Sequence, residues 1–187
     1  MRAYQKERLH NVICFFAREH LKHTKRNLYQ TYLFKYLALF DFELLEETGR
    51  APLDLDYRAM ERGPVPVTLY GELESIESDL FHTRREEGNR IIIQSKRSPD
   101  LSYFSDNELG KMKNLVYIYA TRWITADDIS EGSHQKILAW RRAWTRKPNS
   151  MIDKADTFKQ IQEKSEEELT PEEERFLVHR AIRNMGG

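Results

Sequence analysis

Histidine is the side chain best suited to acid–base or metal chemistry near neutral pH, and this sequence carries six scattered histidines. His20 and His23 lie three residues apart, a spacing that could hold a metal ion if both belong to one helix. The alternative is that both lie near a helix C-terminus, where the helix dipole favours basic side chains. The sequence favours this second interpretation.

Ser130, Ser133 and His134 form the only group that we would test for a nucleophile and its base. Their spacing shows no triad geometry, and the alternative is that His134 caps or packs against the following helix. We therefore expect no catalytic residues, no metal site and no cofactor, and we predict that the protein is not an enzyme.

Asp41 is the odd member of the nearly all-apolar helix that is predicted around Leu33–Leu45. A carboxylate buried in such a helix needs hydrogen bonds or a cation. It could be an acid–base group, or it could be a structural carboxylate that tethers nearby backbone or an arginine. The sequence favours the structural role.

Four residues are candidates for binding a partner, because tryptophan and arginine are common anchors of protein interfaces. These residues are Trp140, Arg141, Arg142 and Trp144. The alternative places the tryptophans in the core; the sequence favours the core for Trp140 and leaves both interpretations open for Trp144.

The same stretch also resembles a nucleic-acid contact, because Arg146 and Lys147 extend it into a short basic and aromatic patch. The acidic run of residues 163–174 could instead pair with this patch inside the molecule. Nucleic-acid binding is therefore kept as an alternative function.

The composition indicates a globular chain. It has 187 residues, 40% of them hydrophobic and 32% charged, with 30 basic and 30 acidic side chains. Zero net charge gives no global reason to bind nucleic acid or membranes. The single cysteine, Cys14, cannot form an internal disulfide, and no stretch is apolar enough to span a bilayer. We expect a soluble cytoplasmic protein that does not associate with membranes.

The hydrophobic pattern predicts a mainly α fold, a compact helical domain around a central buried helix. We place the first helix at Ala3–His20 and the central helix at Leu28–Thr48, with Gly49 after its end. Gly63–Pro66 should form a rigid corner, with Tyr57–Met60 extended before it. Pro66 should then begin a third helix, Val67–Glu77.

The second half should contain a small β-hairpin and three further helices. The hairpin is predicted from Arg90–Gln94 with a charged turn before it and Leu101–Phe104 as the returning strand. Ser105 and Glu108 form a capping box that begins a helix running to about Arg122. Thr125 caps a further helix, and a helical stretch then ends at Trp144.

The remaining residues, 146–187, read as a charged helical C-terminal extension of a domain that covers residues 1–145. Pro148 marks the linker, and Thr170 caps a final helix, Pro171–Asn184. We predict that the extension is separable, so that trimming it leaves a folded core.

The middle of the chain resembles the Panacea antitoxin domain, also called the SocA-like domain. The resemblance covers about residues 5–145. It lies in the run Lys35–Phe42, in Gly49-Arg50, in Tyr57–Pro66 with Leu69-Tyr70, in Phe104–Leu109, and in matches from Thr125 to Arg141. Two departures are Ala38, where the family usually has Tyr, and Asp54-Leu55, where it usually has Gly-Asp.

This resemblance implies a small, mainly helical antitoxin of a bacterial or phage toxin–antitoxin pair that holds a cognate protein toxin inactive by direct binding. The family supplies no catalytic residues. The positions that match its motif are expected to determine the fold: Asp41, Gly49, Tyr57, Gly63, Pro64, Pro66 and Tyr70. The alternatives are a proteolytic adaptor that delivers a toxin to a protease, or a nucleic-acid-binding regulator of its own operon. The sequence leaves the oligomeric state open.

Overall fold

The computed structural model of the chain describes residues 3–121 and 123–185. Six α-helices form within these residues. They are α1 (Ala3–Thr24), α2 (Gln30–Thr48), α3 (Asp106–Tyr119), α4 (Ala126–Lys136), α5 (Leu138–Arg146) and α6 (Pro171–Met185). Five strands accompany them: β1 (Leu28–Tyr29), β2 (Tyr57–Met60), β3 (Gly63–Pro66), β4 (Phe81–Glu86) and β5 (Arg90–Ser95). The predicted mainly α fold is confirmed.

Helix α2 is the centre of the molecule, as its apolar sequence predicts. Nearly all of its side chains from Leu33 to Leu45 are buried, and α1, α3, α4 and α6 all contact it. The helix ends at Gly49, whose φ of 73° is the left-handed conformation of a C-terminal glycine. Its start differs from the prediction, because Leu28 and Tyr29 pair with β5 as a short strand.

The predicted corner at Gly63–Pro66 is a strand in the structure. It pairs antiparallel with β2, so that Tyr57 lies opposite Pro66 and Met60 opposite Gly63. The two prolines are tolerated because β3 is an edge strand, where missing N–H donors break no ladder.

The predicted third helix, Val67–Glu77, is wrong. The chain does begin to turn, since the amide of Tyr70 donates to the carbonyl oxygen of Pro66 at 3.0 Å. Gly71 then adopts a φ of 85°, which no right-handed helix can contain, and a 3-10 turn at Leu73–Ser75 follows.

The small hairpin exists, but its second strand was assigned wrongly. Strand β5 pairs with β4, which precedes it, through a turn at Glu87–Asn89. Leu101–Tyr103, expected to return as a strand, is a 3-10 turn capped by Asp100, whose side chain accepts from the Ser102 amide at 2.9 Å.

The helix boundaries were predicted best where a capping box is present. The predicted capping box forms at Ser105 with Glu108 before α3, and the predicted cap Thr125 forms a capping box with Asp128 before α4. Helix α1 extends one turn beyond the predicted end, to Thr24. The predicted end of α3 at Arg122 lies outside the described residues, and the helix ends at Tyr119.

The segment after α5 packs against the rest of the chain. Ser150 and Ile152 bond to the backbone of β2, and Met151 forms an isolated bridge with Arg58, so this segment extends the β2–β3 hairpin. Ile152, Phe158 and Phe176 belong to the same hydrophobic core as α2. Whether residues 146–187 are separable stays a prediction.

Candidate functional site

The motif residues meet first at Asp41, which lies on α2 and is almost fully buried. Its carboxylate accepts hydrogen bonds from the amides of Leu53 (2.7 Å) and Leu55 (3.3 Å) and from the hydroxyl of Tyr57 (3.0 Å). Burial raises the pKa of Asp41 to about 6, against the opposing effects of Lys154 and of these hydrogen bonds. The side chain ties the loop after α2 to the helix, a tether of the kind favoured from the sequence.

The β2–β3 hairpin is fixed from its other end by Gly63. Its φ of 101° favours glycine, and there is no room for a side chain. A Cβ atom would lie 2.7 Å from both Lys35 Nζ and Ser133 Oγ, and 3.3 Å from the His134 ring. Gly63 is therefore required both by its backbone angle and by the approach of α2 and α4.

Lys35 was not singled out from the sequence, although a lysine inside an apolar helix is a visible signal. Lys35 is 2% exposed. Within the described part of the chain, its only hydrogen bond is a long one, from Nζ to the Pro64 carbonyl oxygen at 3.5 Å. Burial and, secondly, the charge of Arg62 lower the pKa of Lys35 to about 7. No carboxylate of the described residues pairs with it.

Trp140 lies at the same place, where Gly63 of the β2–β3 hairpin meets α2 and α4; we call this place the Gly63 corner. Its Nε1 donates to the Met60 carbonyl oxygen at 3.0 Å, and its ring stacks on His134 at 3.9 Å and beside Trp144 at 5.8 Å. The Trp140 residue is 6% exposed, and Trp144 is half-buried. Trp140 thus lies in the core, as favoured from the sequence, and its indole holds the hairpin to α5.

The two candidate arginines point in different directions. Arg142 Nη1 donates to the carbonyl oxygens of Asp156 (3.0 Å) and Phe158 (2.8 Å), so this side chain organises the C-terminal extension. Arg141 is exposed. Arg146 pairs with Asp156 at 2.8 Å, so the partner of the basic patch is this aspartate and not the acidic run of residues 163–174.

The remaining motif positions lie apart from the Gly63 corner. Gly49 faces α6, where a Cβ atom would clash with the Glu172 carbonyl oxygen. Tyr70 is 56% exposed, and its amide donates to the carbonyl oxygen of the motif residue Pro66. The fold-determining role of the motif residues stays a prediction, with direct contacts in its favour at Asp41, Tyr57 and Gly63.

Three of the groups considered for chemistry, His20, Ser130 and Ser133, are engaged in structural hydrogen bonds. His20 is buried against Tyr36, with its Nδ1 3.1 Å from the phenol oxygen, and burial lowers its pKa to about 4, whereas His23 is exposed. Ser130 and Ser133 donate to backbone carbonyl oxygens. Across residues 3–121 and 123–185, no three His, Cys, Asp or Glu side chains are grouped as a metal site.

Comparison with known families decides the identity of this arrangement. The family model described as "Antitoxin SocA-like, Panacea domain" matches residues 33–141, more than half of the chain. The chain belongs to this family. Searches of the curated proteins and of the solved structures found no match. The Panacea domain as matched begins inside α2 and ends in α5, so it contains both the Asp41 tether and the Gly63 corner.

One property of the described chain bears on location. None of its helices is both long and apolar enough to cross a membrane.

Proposed function

We propose that this Panacea domain is the antitoxin of a toxin–antitoxin pair and that it neutralises a cognate protein toxin by binding it directly. Membership of the SocA-like antitoxin family carries the proposal. The geometry agrees with it, because the polar groups of the motif are used to position backbone. Asp41 accepts from the Tyr57 hydroxyl and Trp140 donates to the Met60 carbonyl oxygen, so both side chains hold the β2–β3 hairpin in place.

The contacts that the basic patch makes inside the molecule favour direct protein binding over nucleic-acid binding. Arg142 donates to the carbonyl oxygens of Asp156 and Phe158, and Arg146 pairs with the Asp156 carboxylate, so among the described residues Arg141 and Lys147 are the cations of the stretch without such a partner. Arg146 itself stays exposed. A group of cations this small supplies few phosphate contacts, and phosphate contacts dominate nucleic-acid affinity.

The test is rescue of growth by co-expression. The gene adjacent to this one is expressed alone in bacteria and then together with the full chain. We expect the first culture to stop growing, the second to grow, and the two proteins to co-purify. A neighbour that is toxic and is not rescued, or a rescue without a complex, would contradict neutralisation by direct binding.

Among the candidate partner-binding residues, Arg141 is the cleanest to change because it is exposed. If it contacts the toxin, Arg141→Glu should weaken rescue while leaving the thermal midpoint unchanged. Lys113→Glu, a reversal of the same size on the exposed side of α3, is the matched control. Equal rescue by both variants would remove Arg141 from the interface without touching the proposed function.

A further inference from the structure

We propose that the C-terminal extension supplies the counter-charge of the family motif: Lys154 offsets the cost of burying ionised Asp41, so that lifting the extension from α2 weakens the Asp41 tether. This inference concerns the coupling between two parts of the chain and does not depend on the proposed antitoxin function. Lys154 lies outside residues 33–141, the part of the chain that matches the family model. Control of the motif therefore comes from outside the Panacea domain.

The hydrogen bonds of Asp41 fit an ionised carboxylate. One carboxylate oxygen accepts from the Leu53 amide, and the other accepts from the Leu55 amide and the Tyr57 hydroxyl. All three bonds are donated to the carboxylate, so the side chain acts only as an acceptor. Asp41 is 1% exposed, so water does not solvate its charge. A carboxylate buried in this way is costly unless a cation lies near it.

Lys154 brings a positive charge to this carboxylate. It begins the 3-10 turn Lys154–Thr157, which packs against α2. The Lys154 side chain is 13% exposed, and its Nζ lies 2.5 Å from Oδ1 of Asp54. Burial raises the pKa of Asp41 to about 6, and the charge of Lys154 is the strongest of the effects that oppose this rise. The packing of the turn and the charge of its first residue thus point to the same role for one lysine.

The loop that Asp41 holds carries two further carboxylates, and the extension balances both. Asp54 pairs with Lys154 and with Arg183 of α6, at 3.0 Å, and Arg183 also reaches Asp56 at 3.3 Å. Within residues 3–121 and 123–185, each ion pair of these two aspartates is made with a cation of the extension. His179 of α6, a further titratable group, lines the same cavity as Asp54.

The direction of the coupling follows from the two states of the loop. Opening the loop exposes Asp41 to water, where an aspartate has a pKa of about 3.9, whereas the closed loop raises it to about 6. The ionised form therefore opposes closure, and protonation favours closure. Lys154 makes this opposition smaller. Without its charge the pKa of Asp41 in the closed loop rises above 6, and a tenfold rise in proton affinity weakens closure of the ionised loop about tenfold.

The first test measures the titration of Asp41 in the full chain. Lys154→Met keeps the length of the side chain and removes its charge. Lys164→Met is the matched control, because Lys164 is another lysine of the extension, and its Nζ pairs with Glu173 at 2.7 Å. The carboxyl carbon of Asp41 is followed by nuclear magnetic resonance as a function of pH. We expect Lys154→Met to raise the midpoint by about one pH unit or more, and Lys164→Met to leave it unchanged.

A third variant separates charge from loosened packing. Asp54→Asn removes a negative charge near Asp41 and leaves Lys154 in place. The φ of 50° at this position suits asparagine as well as aspartate. We expect the Asp41 midpoint to fall in Asp54→Asn, the opposite of its change in Lys154→Met. A rise in both variants would show that either change merely loosens the loop, and it would overturn the proposal.

Hydrogen exchange measures the tether itself. Protection of the Leu53 and Leu55 amides, corrected for the intrinsic pH dependence of exchange, should be about tenfold lower in Lys154→Met than in wild type at about pH 7.5. It should return to the wild-type value near pH 5, where Asp41 is protonated in both chains. An equal loss at both pH values would overturn the coupling. The same loss at the amides of α2 would also overturn it, because the whole fold would then be affected.

His179→Gln controls for the histidine beside the loop. We expect this variant to keep the wild-type titration of Asp41 and the wild-type protection of the Leu53 and Leu55 amides. A pH dependence of protection that disappears with His179 would assign the effect to that histidine, and the proposed role of Lys154 and Asp41 would fall.

Discussion

At the scale of single residues, Lys35 departs most clearly from what a helical core normally contains. It is buried on α2, and no carboxylate of residues 3–121 and 123–185 pairs with it. Its neighbours are Gly63 and Pro64 of β3, Arg62 in the turn before β3, and His134 of α4. A buried, unpaired ammonium costs stability, and the cost falls when the group loses its proton.

The pH dependence of stability should reveal this cost. The folded-state pKa of Lys35 is lowered to about 7, whereas the unfolded value is about 10.4, so above pH 7 the unfolded chain holds a proton that the folded chain has released. Stability should therefore rise from pH 7 to about pH 9, with a slope approaching about 1.4 kcal/mol per unit. Urea unfolding at fixed pH values measures it.

Lys35→Met is the control for this prediction, because methionine keeps the length of the side chain and cannot titrate. It should raise stability at pH 7 and flatten the slope. The window ends near pH 9 because the raised pKa values of Cys14 and Tyr36 act in the opposite direction above it. A wild-type profile that is flat or falls between these limits would show that Lys35 stays charged in the folded state.

At the scale of elements, the junction between α2 and α6 depends on Gly49. This glycine ends α2 with a positive φ, and the Glu172 carbonyl oxygen of α6 occupies the space that a Cβ would need. Arg175 Nη1 donates to the Thr48 carbonyl oxygen beside it. The C-terminus of α2 and the first turn of α6 are therefore in direct backbone contact.

Gly49→Ala should destabilise the protein for two reasons, and Gly71→Ala separates them. Gly71 has a φ of 85°, and a Cβ atom added there would meet no atom of the described residues within 4 Å. Its substitution therefore costs only backbone strain, about 1–2 kcal/mol. Gly49→Ala adds the clash with α6 and should cost at least about 2 kcal/mol more. Equal losses in urea unfolding for the two variants would show that α6 moves away at little cost.

The elements also show what a sequence can predict about this fold. Caps at Ser105 and Thr125 located their helices because a cap is a local hydrogen-bonding pattern. The helix predicted after Pro66 does not form, because Gly71 adopts a positive φ that ends the turn begun at Pro66. The partner of β5 was missed because strand pairing depends on contacts that no local pattern records.

In the candidate site, too, local patterns could be predicted and long-range contacts could not. Asp41 could be identified as a tether because a carboxylate in an apolar run needs partners, but its partners Leu53, Leu55 and Tyr57 depend on the path of the loop. The inward turn of Arg142 could not be predicted either, since its acceptors lie in the extension at Asp156 and Phe158. Long-range backbone positions were the missing information in both cases.

At the scale of the whole molecule, the open question is whether the extension is an appendage or part of the domain. It supplies the segment bonded to β2, the acceptors of Arg142, and core side chains including Phe158 and Phe176. Lys154 and Arg183 both pair with Asp54, in the loop that Asp41 also holds. These contacts cross the predicted boundary at residue 145 in several places.

Two truncations measure how much those contacts contribute. A chain that ends at residue 168 loses α6 with Phe176, and a buried phenylalanine contributes about 3 kcal/mol or more, so its thermal midpoint should fall by about 6–12 °C. A chain that ends at residue 145 also loses Ile152 and Phe158, and we expect it to melt lower still or without a cooperative transition. Calorimetry with circular dichroism decides the matter. A 1–145 chain that melts cooperatively near the full-length midpoint would establish the separable extension predicted from the sequence, and it would leave residues 146–187 available to a partner.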